Sequence, residues 1–576
     1  MQVHVHHHHN LESSPWMEHF IERKMDKYKK LQNEVADNGQ AISSFGLEPL
    51  ATLHERSEYI RDDISKSSKN NYISIMFMSG ISMFLLALAC VNYINIAIVT
   101  ATKRFREIGV RKSIGATRRT IIVQFLSENI LITFFALLVG LVIGYTFFIP
   151  GFEYLWNFDM GFNLTDFRLW IFLPVVLILT SIASGIYPSL YISKFQVVNI
   201  LKGSLKFGQK NPTTKILLGF QLILAFVFIT CAIMFTQNTS YLAKRSWGYD
   251  PHHILYAKVT DQAAYDQLKN AMSANKDVLS ISGSKNHIGK SHEPVTVHFP
   301  DREYEVDQLS VDATYIETMG LTLKHGRNFN DHEGSDARTV IVNEVFAENM
   351  GWANPVGQQF RIDSVQHEVI GVLKEFHNYS FDNQVKPMIF KLAGKEDYKY
   401  LSLHVNMGSE MKTYEELQSS WAKLFPEIPF EGGHQEDVWG FYFREIEIYD
   451  LVWQVLSIIA VSLATLGLYG LVRLNVSGRT KEFSIRKILG AGLKNIAVNI
   501  FNQYTILFIL SLVAGACGGY MFSSWLIVFA YEYHMPITFS GTIMATVIMI
   551  LILVATVSTQ IRKVAKANPV DGLKIE

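Results

Sequence analysis

The sequence predicts an α-helical integral membrane protein of about seven transmembrane helices in two parallel repeats, with an α+β extracytoplasmic domain. Seven runs are apolar and long enough to cross a bilayer. A polar stretch separates them into groups of four and three, and the two groups share residues at a single offset. Composition agrees: 49% of the 576 residues are hydrophobic, 18% are charged and the mean hydropathy is +0.15, where a soluble domain carries about 25% charge. The net charge of zero and the pI of about 7.3 exclude the global basic field that a nucleic-acid partner requires.

A span needs about 20 mostly apolar residues. The first group lies at roughly 73–100, 120–149, 168–192 and 215–237, and the second at roughly 448–474, 498–530 and 539–561. Lysine and arginine in the short loops set the orientation. Lys103, Arg104, Arg106, Arg111, Lys112, Arg118 and Arg119 follow the first run. Lys194, Lys202, Lys206, Lys210 and Lys215 follow the third. Arg479, Lys481, Arg486, Lys487 and Lys494 follow the fifth, and Arg562, Lys563, Lys566 and Lys574 follow the last. The alternate loops, 150–166 and 531–538, carry Glu153, Asp159, Asp166 and Glu532. The basic loops and the C-terminus are therefore expected in the cytoplasm, and residues 1–72 and 238–446 outside.

The repeat is read from FREIGVRKSIGA (105–116) and KEFSIRKILGAG (481–492). Aligning Glu107 with Glu482 also pairs Arg111 with Arg486, Lys112 with Lys487 and Gly115 with Gly490. The same offset pairs Gly140 with Gly515, Gly144 with Gly519 and Tyr145 with Tyr520. The unit runs helix, basic cytoplasmic segment, helix, outer loop, helix, and occurs twice in one orientation. This is a parallel repeat with an expected pseudo-twofold axis along the membrane normal.

Each cytoplasmic segment has the form of a short helix. Glu107 and Arg111 stand at i,i+4 with the acid first, the better orientation. Gly115 supplies a left-handed helix end, and Thr117 caps the next helix. Topology alone accounts for the lysines and arginines; it does not account for a glutamate at a fixed distance before them, twice. The segment is therefore read as a docking helix for a cytoplasmic partner. Gly140/Gly144 and Gly515/Gly519 have the spacing of close helix packing. Asn92, Asn95, Gln124, Glu128, Gln221, Asn502 and Gln503 are polar positions in or near the spans that line a conduit or bond neighbouring helices.

In the polar stretch, VIVNEVF (340–346) reads as a strand leading into a helix, HEVIGVL (367–373) and YLSLHV (400–405) as strands, and 412–424 as an amphipathic helix. Its flanks, near 236–247 and 436–450, continue from the spans as stalks, and 50–72 is a second stalk element. GSKNHIGKS (283–291) imitates a phosphate-binding loop, but five residues rather than four separate Gly283 from Gly289. His287, His292 and His298 are scattered, and His377 reads as a turn residue. No catalytic cluster stands out, which argues against a membrane enzyme. Cys90, Cys231 and Cys517 lie in apolar runs and predict neither disulfide nor zinc. His4 and His6 to His9 read as a tag-like start.

On these residues the chain resembles the MacB/FtsX/LolE class of ABC transporter permeases, in its long form with two membrane repeats. REIGVRKSIGATRRTIIVQFLSE (106–128) is similar to the signature of that class. VDATYIETMGLTLKHGRNF (311–329), VIVNEVFAENMGWANPVGQQF (340–360) and VIGVLKEFHNYSF (369–381) are similar to its periplasmic core domain. The resemblance implies the following division. Residues 1–16 are a tag-like start, 17–71 the remnant of a first periplasmic domain and stalk, and 72–203 the first membrane repeat. Residues 212–238 are a transmembrane helix, 239–446 the periplasmic core domain, and 447–576 the second repeat. The long form begins with a further helix and a complete first periplasmic domain, so an N-terminally truncated chain is expected.

The resemblance also implies a bacterial inner-membrane permease that exports or handles peptides, macrolide-like compounds or lipoproteins by mechanotransmission. A separate cytoplasmic ATPase dimer would hold the ATP and magnesium, with no cofactor on this chain. The implied ATPase contacts are Glu107, Arg111, Lys112, Gly115, Glu482, Arg486, Lys487 and Gly490. The lipid bilayer and a periplasmic adaptor or outer-membrane component are the other implied partners, and nucleic acid is not one. The alternative is an FtsX-like regulator that activates an external cell-wall hydrolase.

Overall fold

The computed structural model describes residues 28–29, 71–156, 161–194, 212–478, 482, 485, 488–489 and 493–566, apart from loop positions 301, 331–333, 363, 382 and 395–396. The chain divides into two compact units, 1–89 and 90–576. The remnant domain and the stalk element at 50–70 lie outside the described residues, as do Arg486, Lys487, Gly490 and the side chain of Gln503.

Hydrocarbon offers no partner to a backbone amide, so the apolar runs close their hydrogen bonds internally as helices. The first repeat is α1 (Asn71–Lys103), α2 (Phe105–Ser113), α3 (Arg118–Ile143), a π-helical turn (Gly144–Phe148), α4 (Ile149–Trp156) and α5 (Phe167–Ser193). Then α6 (Pro212–Leu242) climbs out of the membrane into the soluble domain. Seven helices are long and apolar enough to span: Met78–Ile98, Arg118–Trp156, Phe167–Ser193, Thr214–Leu242, Tyr442–Arg473, Thr505–Ala530 and Ser540–Thr559. These are the seven runs that the hydropathy predicts.

The soluble domain follows α6 as β1 (Ile254–Lys258), α7 (Gln262–Ser273), β2 (Val278–Ser284), β3 (Glu293–His298), β4 (Glu303–Val311) and α8 (Tyr315–Thr318). It continues as β5 (Leu323–Gly326), β6 (Thr339–Asn343), α9 (Glu344–Asn349), β7 (Gln359–Ile362) and β8 (Val365–Leu373). It ends with β9 (Met388–Leu392), β10 (Tyr400–Val405), α10 (Glu410–Leu424) and β11 (Gly432–His434). Strands β3, β4, β9, β6, β8 and β7 pair in a closed ring, parallel at β4–β9 and β6–β8 and antiparallel elsewhere. Val297, Val306, Val340, Phe346, Phe360 and Ile389 fill it. Closure removes the free edges that an open sheet exposes.

A second, antiparallel sheet of order β11-β1-β10-β2 joins the ring through the single pair Ser284↔Val311. Helices α7 and α10 cover it through Tyr265, Leu268, Leu417 and Trp421. The segment that imitates a phosphate loop runs from β2 into β3, so no helix follows it to receive a phosphate.

The second repeat is α11 (Gly440–Gly478), α12 (Leu493–Ala530) and α13 (Ser540–Lys566). At about 1.5 Å per residue, the 39 residues of α11 exceed the roughly 30 Å of hydrocarbon. Its acidic first turns therefore stand above the membrane as a stalk. Helices α6, α11, α12 and α13 pack together as a bundle.

In that bundle a Cβ at Gly515 would fall 2.7 Å from Phe226 Cβ, and one at Gly519 would fall 3.0 Å from Thr230 Cβ. These glycines let α12 lie against α6. Gly140 and Gly144, expected to pack in the same way, have no atom within 4 Å of such a position. Here the structure departs from the expectation, because α3 packs on α5 through Asn129 instead. Asn129 Nδ2 donates to Ser181 O at 2.7 Å and to Ser184 Oγ at 3.0 Å. Asn95 Nδ2 donates to Gln221 Oε1 at 3.5 Å, so two of the polar span residues bond between helices.

Gly515→Ala should cost about 1–3 kcal/mol, because the clash falls near the α6 backbone and the two helices must separate. Gly140→Ala should be neutral within about 0.5 kcal/mol. Thermal unfolding of both variants in detergent checks the difference.

Candidate functional site

Helix α2 is fastened to its neighbours by charge and leaves bulky apolar side chains exposed. It ends as its sequence predicts. Gly115 has φ +102°, Ala116 N–H reaches Arg111 O at 3.0 Å and Gly115 N–H reaches Lys112 O at 3.2 Å, the two bonds of a Schellman end. Thr117 then caps α3 by accepting from Thr120 N.

Glu107 receives Arg111 Nη2 at 2.8 Å and Arg104 Nε at 3.2 Å. Arg104 forks onto Glu128 of α3 at 2.6 and 3.2 Å. Arg111 Nη1 donates to Gln124 Oε1 at 2.7 Å, and Gln124 Nε2 donates to Glu128 Oε1 at 3.0 Å. Five side chains therefore form a closed ring that fastens α2 to α3. The bonds to Glu128, then those to Glu107, raise the pKa of Arg104 above its ordinary value.

Lys112 Nζ donates to Ser193 O at 2.7 Å, at the carbonyl end of α5, where a cation is favoured. Burial, then Arg118, lowers its pKa. The predicted contact residues Arg111 and Lys112 thus turn much of their bonding capacity toward α3 and α5, and Glu107 turns toward Arg104 and Arg111.

Besides the part-exposed Glu107 and Arg111, α2 offers bulky apolar residues outward. Val110 is 50% and Ile114 is 81% exposed. In the second repeat the offset lands on Ile485 and Leu489, which are 45% and 80% exposed. The same bulky residues are thus bare at equivalent places in both repeats, outside the predicted spans. Glu482 is half-buried. Sequence reasoning stopped at the charges and missed Val110, Ile114, Ile485, Leu489 and the fork of Arg104. The apolar pairs were present in the aligned motifs as a repeated i,i+4 pattern.

His287 and His377 are buried in the soluble domain. His287 Nε2 faces Gln435 Oε1 at 2.7 Å, and its Nδ1 faces Tyr315 Oη at 3.2 Å and Ser402 Oγ at 3.3 Å. The Gln435 amide spends its N–H groups on Tyr249 Oη and Ile288 O, so the imidazole donates from Nε2 and accepts at Nδ1. Burial pushes its pKa down to about 4. His377 sits among Trp247, Phe381 and Tyr533, where burial, then Arg245, also holds it at about 4. His377 is thus a packed ring, not only a turn residue. Among the described residues no group of three His, Cys, Asp or Glu is placed to hold a metal ion.

The arrangement is that of a multi-pass membrane protein with a short helix between its first two spans and a sheet domain between its fourth and fifth. A family model described as FtsX-like permease C-terminal matches residues 79–197 and again 454–569, and one described as MacB-like periplasmic core domain matches 222–390. The chain belongs to the FtsX/MacB family of ABC transporter permeases.

It is similar to the uncharacterized ABC transporter permease YknZ of Bacillus subtilis, 21% identical over 52% of this chain and 78% of that one. It is also similar to the macrolide export ATP-binding/permease protein MacB of Bdellovibrio bacteriovorus, 31% identical over 54% of this chain. The matched part spans 48% of that MacB. The periplasmic region of MacB from Actinobacillus actinomycetemcomitans aligns with a TM-score of 0.27 and 11% identity over 34% of this chain and 95% of that one, too slight a likeness to build on.

His287 and His377 each have a folded pKa near 4 against an ordinary 6.5. Between those values the unfolded chain takes up protons that the folded chain refuses. Stability is therefore full above about pH 6.5 and falls as the pH drops toward 4, by up to about 1.4 kcal/mol per pH unit per histidine. Thermal unfolding of the full chain across that range should show the slope, and His377→Phe should reduce it.

Proposed function

We propose that this chain is the membrane subunit of a mechanotransmission-type ABC transporter. A separate cytoplasmic ATPase dimer would dock on α2 and on its repeat around Glu482–Leu489. One observation carries the reading: the pairs Val110/Ile114 and Ile485/Leu489 are equivalent in sequence and equally bare. Two like apolar knobs fit a partner with two like sockets, which a twofold dimer presents.

The closed ring of charges gives the knobs a rigid seat. Force applied to Val110 and Ile114 passes through Arg104–Glu128 into α3 and through Lys112 into the end of α5. Helices α6 and α11 carry the motion to the periplasmic domain. ATP and magnesium belong to the partner, and the C-terminus is cytoplasmic by the charge of the loops.

The substrate is periplasmic and of the peptide, macrolide-like or lipoprotein kind, the range that the family resemblance implies. The reading in which the domain instead activates an external cell-wall hydrolase uses the same knobs. It differs in its output, which would be a wall defect without loss of export.

Ile114→Glu and Leu489→Glu alter exposed positions and should leave the fold intact. Each should cut ATPase co-purification from the native host in mild detergent by about tenfold or more, as charging a hot-spot residue does. Glu107→Lys should weaken ATP-driven transport more than partner capture, because it breaks the seat and leaves the knobs. Capture unchanged in both knob variants, with the chain folded by size-exclusion chromatography, would sink the docking assignment.

A further inference from the structure

The two outer loops of the repeats are equivalent in order but meet different things. The first repeat's outer segment meets the stalk. Arg444 Nη2 of α11 donates to Tyr154 O at 3.1 Å, and the Trp156 ring lies 5.5 Å from that of Tyr449.

The second repeat's loop, between Ala530 of α12 and Ser540 of α13, enters the foot of the periplasmic domain. Tyr533 N–H donates to Phe381 O at 3.1 Å, and Tyr533 Oη accepts from Val385 N–H at 3.4 Å. Gln384 Nε2 donates to Glu532 Oε1 at 2.6 Å. Met535 N–H donates to Asn238 Oδ1 at 2.9 Å, on the emerging end of α6.

The Tyr533 ring is also clasped. The Arg245 guanidinium stacks 4.4 Å from its centre, and His377 meets it edge-on at 4.8 Å. Behind it Phe381 stacks on Trp247 at 4.1 Å, and Trp247 stacks on Trp439 at 4.6 Å. Trp247 follows α6, and Trp439 immediately precedes α11. One aromatic column thus ties the loop, the domain and both stalks together. A short loop joined at both ends to membrane helices, with three hydrogen bonds to the domain and one to α6, cannot move without it. Packed aromatic and cation–π contacts of this kind pass displacement on, because dense interiors deform little.

We infer that the α12–α13 loop, through Tyr533, is a transmission contact that positions the periplasmic domain in register with the second membrane repeat. The second repeat grips the domain directly, and the first meets the stalk. This rests on the proposed mechanotransmission, and it assigns the stroke to a particular side of the molecule.

The test uses the full chain in nanodiscs, with its ATPase where one co-purifies. Hydrogen exchange is followed in the loop and the domain, with and without ATP. Tyr533→Ala should leave partner capture and the melting temperature near wild type. It should reduce the ATP-dependent change in domain protection, and transport, about tenfold. Tyr533→Phe keeps the ring, the cation–π contact and the bond from its own N–H to Phe381 O, loses only the long bond from Val385 N–H, and should restore both. A Tyr533→Ala chain that couples as wild type overturns the inference, and so does one whose loss Phe fails to rescue. If no ATPase is captured, the transporter reading fails on its own terms. The contact is then judged by exchange alone: amides at 531–535 should be protected, and should lose at least about tenfold in protection in Arg245→Ala. Exchange there as fast as at 161–166 would remove the contact itself.

Discussion

Burial of α6 organises the molecule. It is the most enclosed of the spans, with 61% of its apolar core buried, and it touches α11, α12 and α13. In lipid no hydrophobic force drives such contacts, so they rest on close fit and on a few polar bonds. The fit comes from Gly515 and Gly519, which admit Phe226 and Thr230, and from Gly467, which admits Gln221 and Asn92. The same helix then leaves the membrane and becomes the floor of the periplasmic domain. A single element therefore fixes both the bundle and the height and direction of the domain.

Asn92 and Gly467 occupy equivalent places under the offset that relates the repeats. Asn92 Oδ1 would stand 3.3 Å from a Cβ at Gly467. Equivalent positions meet each other only near an axis of symmetry, so this contact marks where the pseudo-twofold axis passes. Gln221 of α6 lies against the same spot, and α6 is not part of the repeated unit. The symmetry is thus broken at its own centre, and the two halves are free to do different work. The contrast between a repeat that grips the domain and one that meets the stalk is the same asymmetry seen at the outer surface.

Most of the fold was legible because it follows from short-range rules. Spans follow from hydropathy, and the end of α2 from a glycine at the right step. Strands β6, β8 and β10 followed from β-branched runs, and α10 from its apolar period. What was not legible depends on distant partners. Gly140/Gly144 and Gly515/Gly519 are the same pattern, yet only the second pair is packed, because α6 lies on α12 and not on α3. Glu107 and Arg111 were paired correctly from spacing. Arg104, which carries the ring to Glu128, looked like one more positive-inside charge. Its role needs α3 folded back beside α2, which no local pattern encodes.

The same limit explains why the sequence pointed to charges as the docking surface. Charged residues draw the eye in a basic loop, but they are the residues most able to satisfy one another. Once Arg104, Glu107, Arg111, Gln124 and Glu128 close on themselves, little net field is left to bind a partner, and surface ion pairs contribute little affinity in any case. An exposed isoleucine or leucine at the edge of a membrane protein has no such internal outlet. It costs solvation while bare and returns that cost when covered. Glu107 is therefore explained by the seat that it builds, and the exposed apolar pairs are what the proposed partner would cover.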